Sequence, residues 1–304
     1  MLAGILAGLL WGLDTVILGV ALLMSPFSKN EYVIFLAPFI STFIHDFFSS
    51  MWIFLYLGIK KQANNIIKAL KTKSGRFIVL AALAGGPIGM TGYVLSIRSI
   101  GPAYTAIISA IYPAVGALLS YIFLKEKMRL YQIGALLVSI IAVILLSYTP
   151  GNYQVENGLF GFIFAFLAVF GWAFEAVIIA YGLRDDSISD ETALQIRQFT
   201  AVVVYGLIIL PLLKGWNATS SIFFTNTSAI ILLATFFGTA SYLFYYKSIS
   251  QLGASKAMAL NITYVAWSII FGFLLFKELL TGPQLILTIV IIIGSIIAGS
   301  KNEK

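Results

Sequence analysis

Ten apolar stretches, each long enough for a helix to cross a hydrocarbon core of roughly 30 Å, follow one another along this chain. Inside such a core backbone polar groups have no water to bind, so a helix, which satisfies them within the segment, is the expected structure. The stretches run over 2–24, 32–59, 77–97, 102–124, 129–149, 158–183, 193–213, 226–249, 254–276 and 282–300. Only 10% of the 304 residues are charged, against about 25% in soluble domains. The expected fold is an all-α integral membrane protein with ten transmembrane helices and the lipid bilayer as its surroundings. The first stretch lacks a basic start and a small-residue cleavage site, so it reads as a retained helix.

The net charge of +7 is distributed by topology. When the connections are assigned alternately to two sides, fourteen lysines and arginines fall on one side and four on the other, with Arg197 inside a span. The loop 60–76 alone holds Lys60, Lys61, Lys68, Lys71, Lys73 and Arg76. By the positive-inside rule both termini belong in the cytoplasm, and the basic excess is no sign of nucleic acid. One histidine and no cysteine leave no ordinary metal cluster and no disulfide, and no serine sits beside a base. No cofactor, metal or enzymatic reaction is expected. The glycine-rich "LAALAGGPIGMTGYVLS" of the third span has no following Lys-Ser/Thr and is no phosphate loop. Close helix packing is its plain reading, and a bend used in gating the sharper one.

The chain is duplicated. Lys125-Glu126 and Lys277-Glu278 lie 152 positions apart, as do Gly101 and Gly253, and Tyr112 and Tyr264. "GLLWGLDTVILG" in the first span matches "VFGWAFEAVIIA" in the sixth, pairing Trp11 with Trp172 and Asp14 with Glu175 at an offset of 161. The two units, 1–149 and 158–300, each hold five helices, and an odd number inserts the second copy inverted. Inverted repeats around a midplane site are a common transporter architecture. Five plus five helices, "LKE" and "FKE" closing the fourth helix of each half, and Pro113 in "SAIYPAVGALLSYIFLKE" resemble the drug/metabolite transporter superfamily in its EamA-type branch. That resemblance implies a secondary transporter working by alternating access. Val265 stands where the repeat would place a second proline, so a helix break made by Pro113 is not expected in the second half.

Ionisable residues deep in a membrane are functional candidates by default, and four stand well inside the spans: Asp14, His45, Asp46 and Glu175. Glu175 and Asp14 each follow a tryptophan by three residues and share its helix face. Tyr242 and Tyr245, and then Asn261, Tyr264 and Trp267, recur at three-to-four-residue spacing in spans eight and nine. Repeat symmetry adds Tyr93 and Tyr112. Rings with a carboxylate suit a quaternary ammonium, whose hydration is replaced by ring quadrupoles at about 0.5 to 2 kcal/mol per contact.

This set resembles that of LicB-type choline transporters within the superfamily. The resemblance implies bacterial choline import across the plasma membrane, with a small cationic substrate caged by Trp11, Tyr93, Tyr112, Trp172, Tyr242, Tyr245, Asn261, Tyr264 and Trp267 beside Glu175 and Asp14. Either acid could instead serve only as a hydrogen-bonding group within the bundle. Glu175, Asp14, His45 and Asp46 are candidates for proton coupling. Helix neighbours diverge by about 100°, so His45 and Asp46 are not expected to face one cavity; a polar pair between helix 2 and helix 1 or 7 is the plain reading. The alternative function is export of amino acids or other zwitterions. It requires a deep cation for the substrate carboxylate; the sequence supplies no buried Lys or Arg there, and Arg197, near the cytoplasmic start of the seventh span, would have to serve.

Overall fold

The computed structural model describes residues 1–148, 158–184, 188–277 and 279–300. Among them there is no strand, and nine helices are long and apolar enough to cross a membrane. These are α1 (Leu2–Leu23), α2 (Glu31–Ile59), α3 (Lys73–Pro102), α4 (Tyr104–Leu124), α5 (Leu130–Ser147), α6 (Gly158–Gly182), α7 (Asp190–Leu212), α8 (Asn226–Leu252) and α9 (Ala254–Phe276). A shorter apolar helix, α10 (Gly282–Ala298), follows. The third helix starts four residues earlier than its apolar stretch, because Thr72 caps it by accepting the Gly75 amide at 3.0 Å.

Backbone irregularities recur at matched positions in the two halves. The chain passes from α3 to α4 through Gly101 at φ 83°, and from α8 to α9 through Gly253 at φ 88°. Both lie in the left-handed region, which glycine adopts without a Cβ penalty. Lys125 at φ 58° and Lys277 at φ 60° close α4 and α9. Each of these two helices is also interrupted near its middle, at Ala110–Ile111 and at Ile262–Thr263. The expectation that Val265 would leave the second helix unbroken is therefore corrected. Hydroxyls take up backbone carbonyls beside both turns: Ser109 Oγ donates to Ala106 O at 3.1 Å and Thr263 Oγ1 to Leu260 O at 2.7 Å. Such local bonds compete with the helical ladder and do not need a proline.

Helix α1 lies against α8 and α9, while α6 lies against α3 and α4; α2 packs on α7, and α5 on α10. Glycines bring the first two sets close. A Cβ at Gly4, Gly8 or Gly12 of α1 would run into Leu260, Thr263 or Trp267. A Cβ at Gly85, Gly89 or Gly92 of α3 would meet Glu175, Trp172 or Phe164 of α6. The glycine-rich third span is thus a close-packing surface. It also holds a π-helical turn, Ala84–Met90, around Pro87.

One end of the bundle, where the basic loops lie, is tied together by polar contacts. The Glu126 carboxylate accepts the Ala254 and Ser255 amides at 3.0 Å each and the Ser255 hydroxyl at 2.6 Å, joining the end of α4 to the start of α9. Arg184 donates to the Leu124 carbonyl, and Lys60 pairs with Glu191 at 2.9 Å. Hydrogen bonds to Tyr56 and Glu191 raise the Lys60 amine above its ordinary value. This solvent-facing pair fixes geometry more than it adds stability.

Candidate functional site

A cavity of about 190 Å³ opens between the two halves, walled by α1, α2, α3, α4, α6, α7, α8 and α9. Nine of the sequence candidates of the cage and its acids reach it: Trp11, Asp14, Tyr112, Trp172, Glu175, Tyr242, Tyr245, Asn261 and Tyr264. Trp11 meets Tyr242 edge to face at 4.8 Å between centroids, and Trp172 meets Tyr112 the same way at 5.8 Å. Asn261 Nδ2 donates to the Tyr112 hydroxyl at 3.3 Å across the two interrupted helices. The mid-helix turns thus place a tyrosine and an amide at the cavity wall.

The acids form one buried network. Asp14 Oδ1 lies 3.1 Å from His45 Nε2, and His45 Nδ1 lies 3.9 Å from Asp46 Oδ1. Arg197 Nη1 donates to Asp46 Oδ1 at 3.2 Å, and its Nε to Glu175 Oε1 at 2.9 Å. A third donor bond runs from Arg197 Nη1 to Gln198 Oε1, whose amide then donates to Ser49 Oγ at 2.6 Å. The guanidinium lies 4.7 Å from the centre of the Tyr242 ring. Each of the five ionisable side chains is buried, and the network runs along the cavity wall from α1 through α2 and α7 to α6. Two glycines give it room: a Cβ at Gly238 would stand 2.9 Å from both Asp14 Oδ1 and His45 Nε2, and one at Gly85 would collide with Glu175.

Three expectations change. His45 and Asp46 both line the cavity, contrary to the argument from their divergence. His45 turns to α1 and Asp46 to α7, and the cavity is wide enough to touch both. The cavity does hold a buried arginine: Arg197, at 3% exposure, lines it seven residues, or roughly 10 Å of helix, beyond the start of α7. The third concerns Trp267 and Tyr93. Trp267 is absent from the cavity wall and packs its Cβ side on Gly12 of α1, about 60° around the helix from Tyr264. Tyr93 meets Trp172 in a tilted pair at 5.3 Å between centroids but belongs to a second cavity behind it.

In formal charge the cluster carries three carboxylates against one guanidinium, with His45 neutral or protonated. It is short of one or two positive charges. Buried carboxylates are expensive unless compensated, and in formal charge the one guanidinium does not compensate all three.

The chain belongs to the EamA-like transporter family, which it matches over residues 1–148 and 159–300. It is similar to Protein LicB of Haemophilus influenzae, with 32% identity over 300 residues that cover 97% of this chain and 96% of that one. A transporter of Clostridium kluyveri shares 27% identity over 189 residues, covering 61% of this chain and 59% of its own. A protein crystal structure at 15% identity superposes with a TM-score of 0.70 over 98% of this chain and 96% of that one. That likeness concerns the fold alone. The protein is a multi-pass membrane transporter.

Proposed function

We propose that this transporter imports choline or a related small quaternary ammonium compound by alternating access. The reading rests chiefly on one juxtaposition: six aromatic rings, from Trp11, Tyr112, Trp172, Tyr242, Tyr245 and Tyr264, line the same cavity as a cluster with excess negative charge. A quaternary ammonium has no N–H to donate, and rings can replace its water while the carboxylates balance its charge. Arg197 over Tyr242 is a cation already held between a ring and two carboxylates of this wall. The resemblance to LicB-type choline transporters supports the same substrate class.

In this proposal the units 1–149 and 158–300 are inverted repeats that rock about the cavity, and both termini lie in the cytoplasm of a bacterium. The matched breaks at Gly101 and Gly253, and at Lys125 and Lys277, support the repeat. Glu175, Asp14, His45 and Asp46 are then the groups available for proton coupling. Export of amino acids is the second reading, since Arg197 does line the cavity. Its Nε and Nη1 are engaged by Glu175, Asp46 and Gln198, so a substrate carboxylate would have to share the guanidinium with two acids already on it.

Uptake into proteoliposomes separates the readings. An interior-negative potential favours inward movement of a monocation by about 2.3 kcal/mol per 100 mV, roughly a fiftyfold concentration ratio. Labelled choline is expected to accumulate with that potential. Accumulation of neutral amino acids with none of choline would contradict the proposal.

A further inference from the structure

A second cavity, also of about 190 Å³, lies on the far side of the cage wall. Tyr112, Trp172 and Tyr264 line both cavities, so each ring set is a partition with two faces. The charges are divided unequally by it. All five ionisable side chains of the network line the first cavity, and none lines the second. In their place the second has a fourth ring, Tyr93, and the serines Ser109, Ser147 and Ser268.

The serines are polarised in one sense. Ser109 gives its proton to the Ala106 carbonyl at 3.1 Å, and Ser268 to the Val265 carbonyl at 2.9 Å. What these two hydroxyls have left is acceptor lone pairs. The position along the helices is informative too. Ala106 and Ser147 stand near the helix ends opposite the tied basic end, at the start of α4 and the last residue of α5, whereas Tyr112 stands at the cage. Six residues separate Ala106 from Tyr112, roughly 9 Å of helix. The cavity is a shaft from that end of the bundle down to the back of the cage.

We infer that this shaft is a second, weaker binding site for the same class of ligand, a small quaternary ammonium that carries a hydroxyl group. Ring faces take the cation and the serine oxygens accept the ligand hydroxyl. With no carboxylate to balance its charge, the cation binds here only by ring contacts and is readily released. The two sites are in series across Tyr112, Trp172 and Tyr264. This inference rests on the cage reading, because it assigns the same ligand to the uncharged face of the shared rings.

Equilibrium binding of radiolabelled choline to the full-length purified protein tests it. The wild type is expected to bind in two phases, the weaker one roughly tenfold or more above the first in Kd. Glu175→Gln should shift the tight phase about thirtyfold or more to weaker binding and leave the Kd of the weak phase unchanged. Ala106→Phe fills the shaft without touching the cage and should remove the weak phase while the tight one stays; Ser147→Phe is the second variant, used if the first does not fold. One phase in the wild type, or a weak phase that survives a folded shaft variant, would overturn the inference and leave the cage reading standing. Absence of all choline binding would instead sink the cage reading and this inference with it.

Discussion

Replacement of Arg197 by leucine will destabilise the protein more than any other single change in the charged cluster. The guanidinium is the formal counter-charge to Asp46 and Glu175, at 3.2 and 2.9 Å, and all three side chains are buried. Removing one partner of such a set leaves uncompensated charge in low dielectric, which costs roughly 3–5 kcal/mol. Thermal melting in detergent should show a large drop, with part of the protein lost to aggregation. Adding Glu175→Gln and Asp46→Asn to Arg197→Leu should restore a good part of the loss, because the orphaned charges are then gone. A single Arg197→Leu variant that melts like the wild type would mean that the network carries no such energy.

Glu175→Gln acts in the opposite way, on ligand more than on fold. Glutamine keeps the shape and can still accept from Arg197, and Asp46 and Gln198 remain on the guanidinium. What is lost is one negative charge from a cluster whose excess is only one or two. Truncating a buried charge that faces an oppositely charged ligand costs 2 kcal/mol or more, about thirtyfold or more in affinity. The expected outcome is a monodisperse protein with choline affinity reduced by at least that factor. Unchanged affinity would show that Glu175 serves only Arg197.

Much of this site is legible in the sequence because repetition marks it. Trp11 with Asp14 and Trp172 with Glu175 are the same pattern at two places, and both pairs reach one cavity. Spacing alone misplaces Trp267, since three helical residues leave a 60° error and Gly12 of a neighbouring helix decides where the indole goes. It also misjudges His45 and Asp46, because sequence gives the angle between two side chains and not the width of the cavity between them. Arg197 is missed for a different reason: distance from a helix end does not tell how deep that end lies. Electroneutrality was the available signal. Carboxylates in three spans with no cation among them is an incomplete set, and Gln195, Arg197 and Gln198 form the polar cluster that completes it. The break in α9 escapes notice because no proline announces it; a turn with a threonine hydroxyl on a backbone carbonyl stands there instead.

The central claim is that the cavity recognises a positive charge through rings and excess carboxylate rather than through shape. Calorimetric titration of the purified protein with choline and with its neutral carbon isostere, 3,3-dimethylbutan-1-ol, measures this directly. The two ligands have nearly the same size and the same hydroxyl, and differ in the charge. The account predicts saturable binding of choline and binding of the isostere weaker by at least two orders of magnitude, about 2.7 kcal/mol. Equal affinity for the two, or binding of the isostere alone, would contradict it.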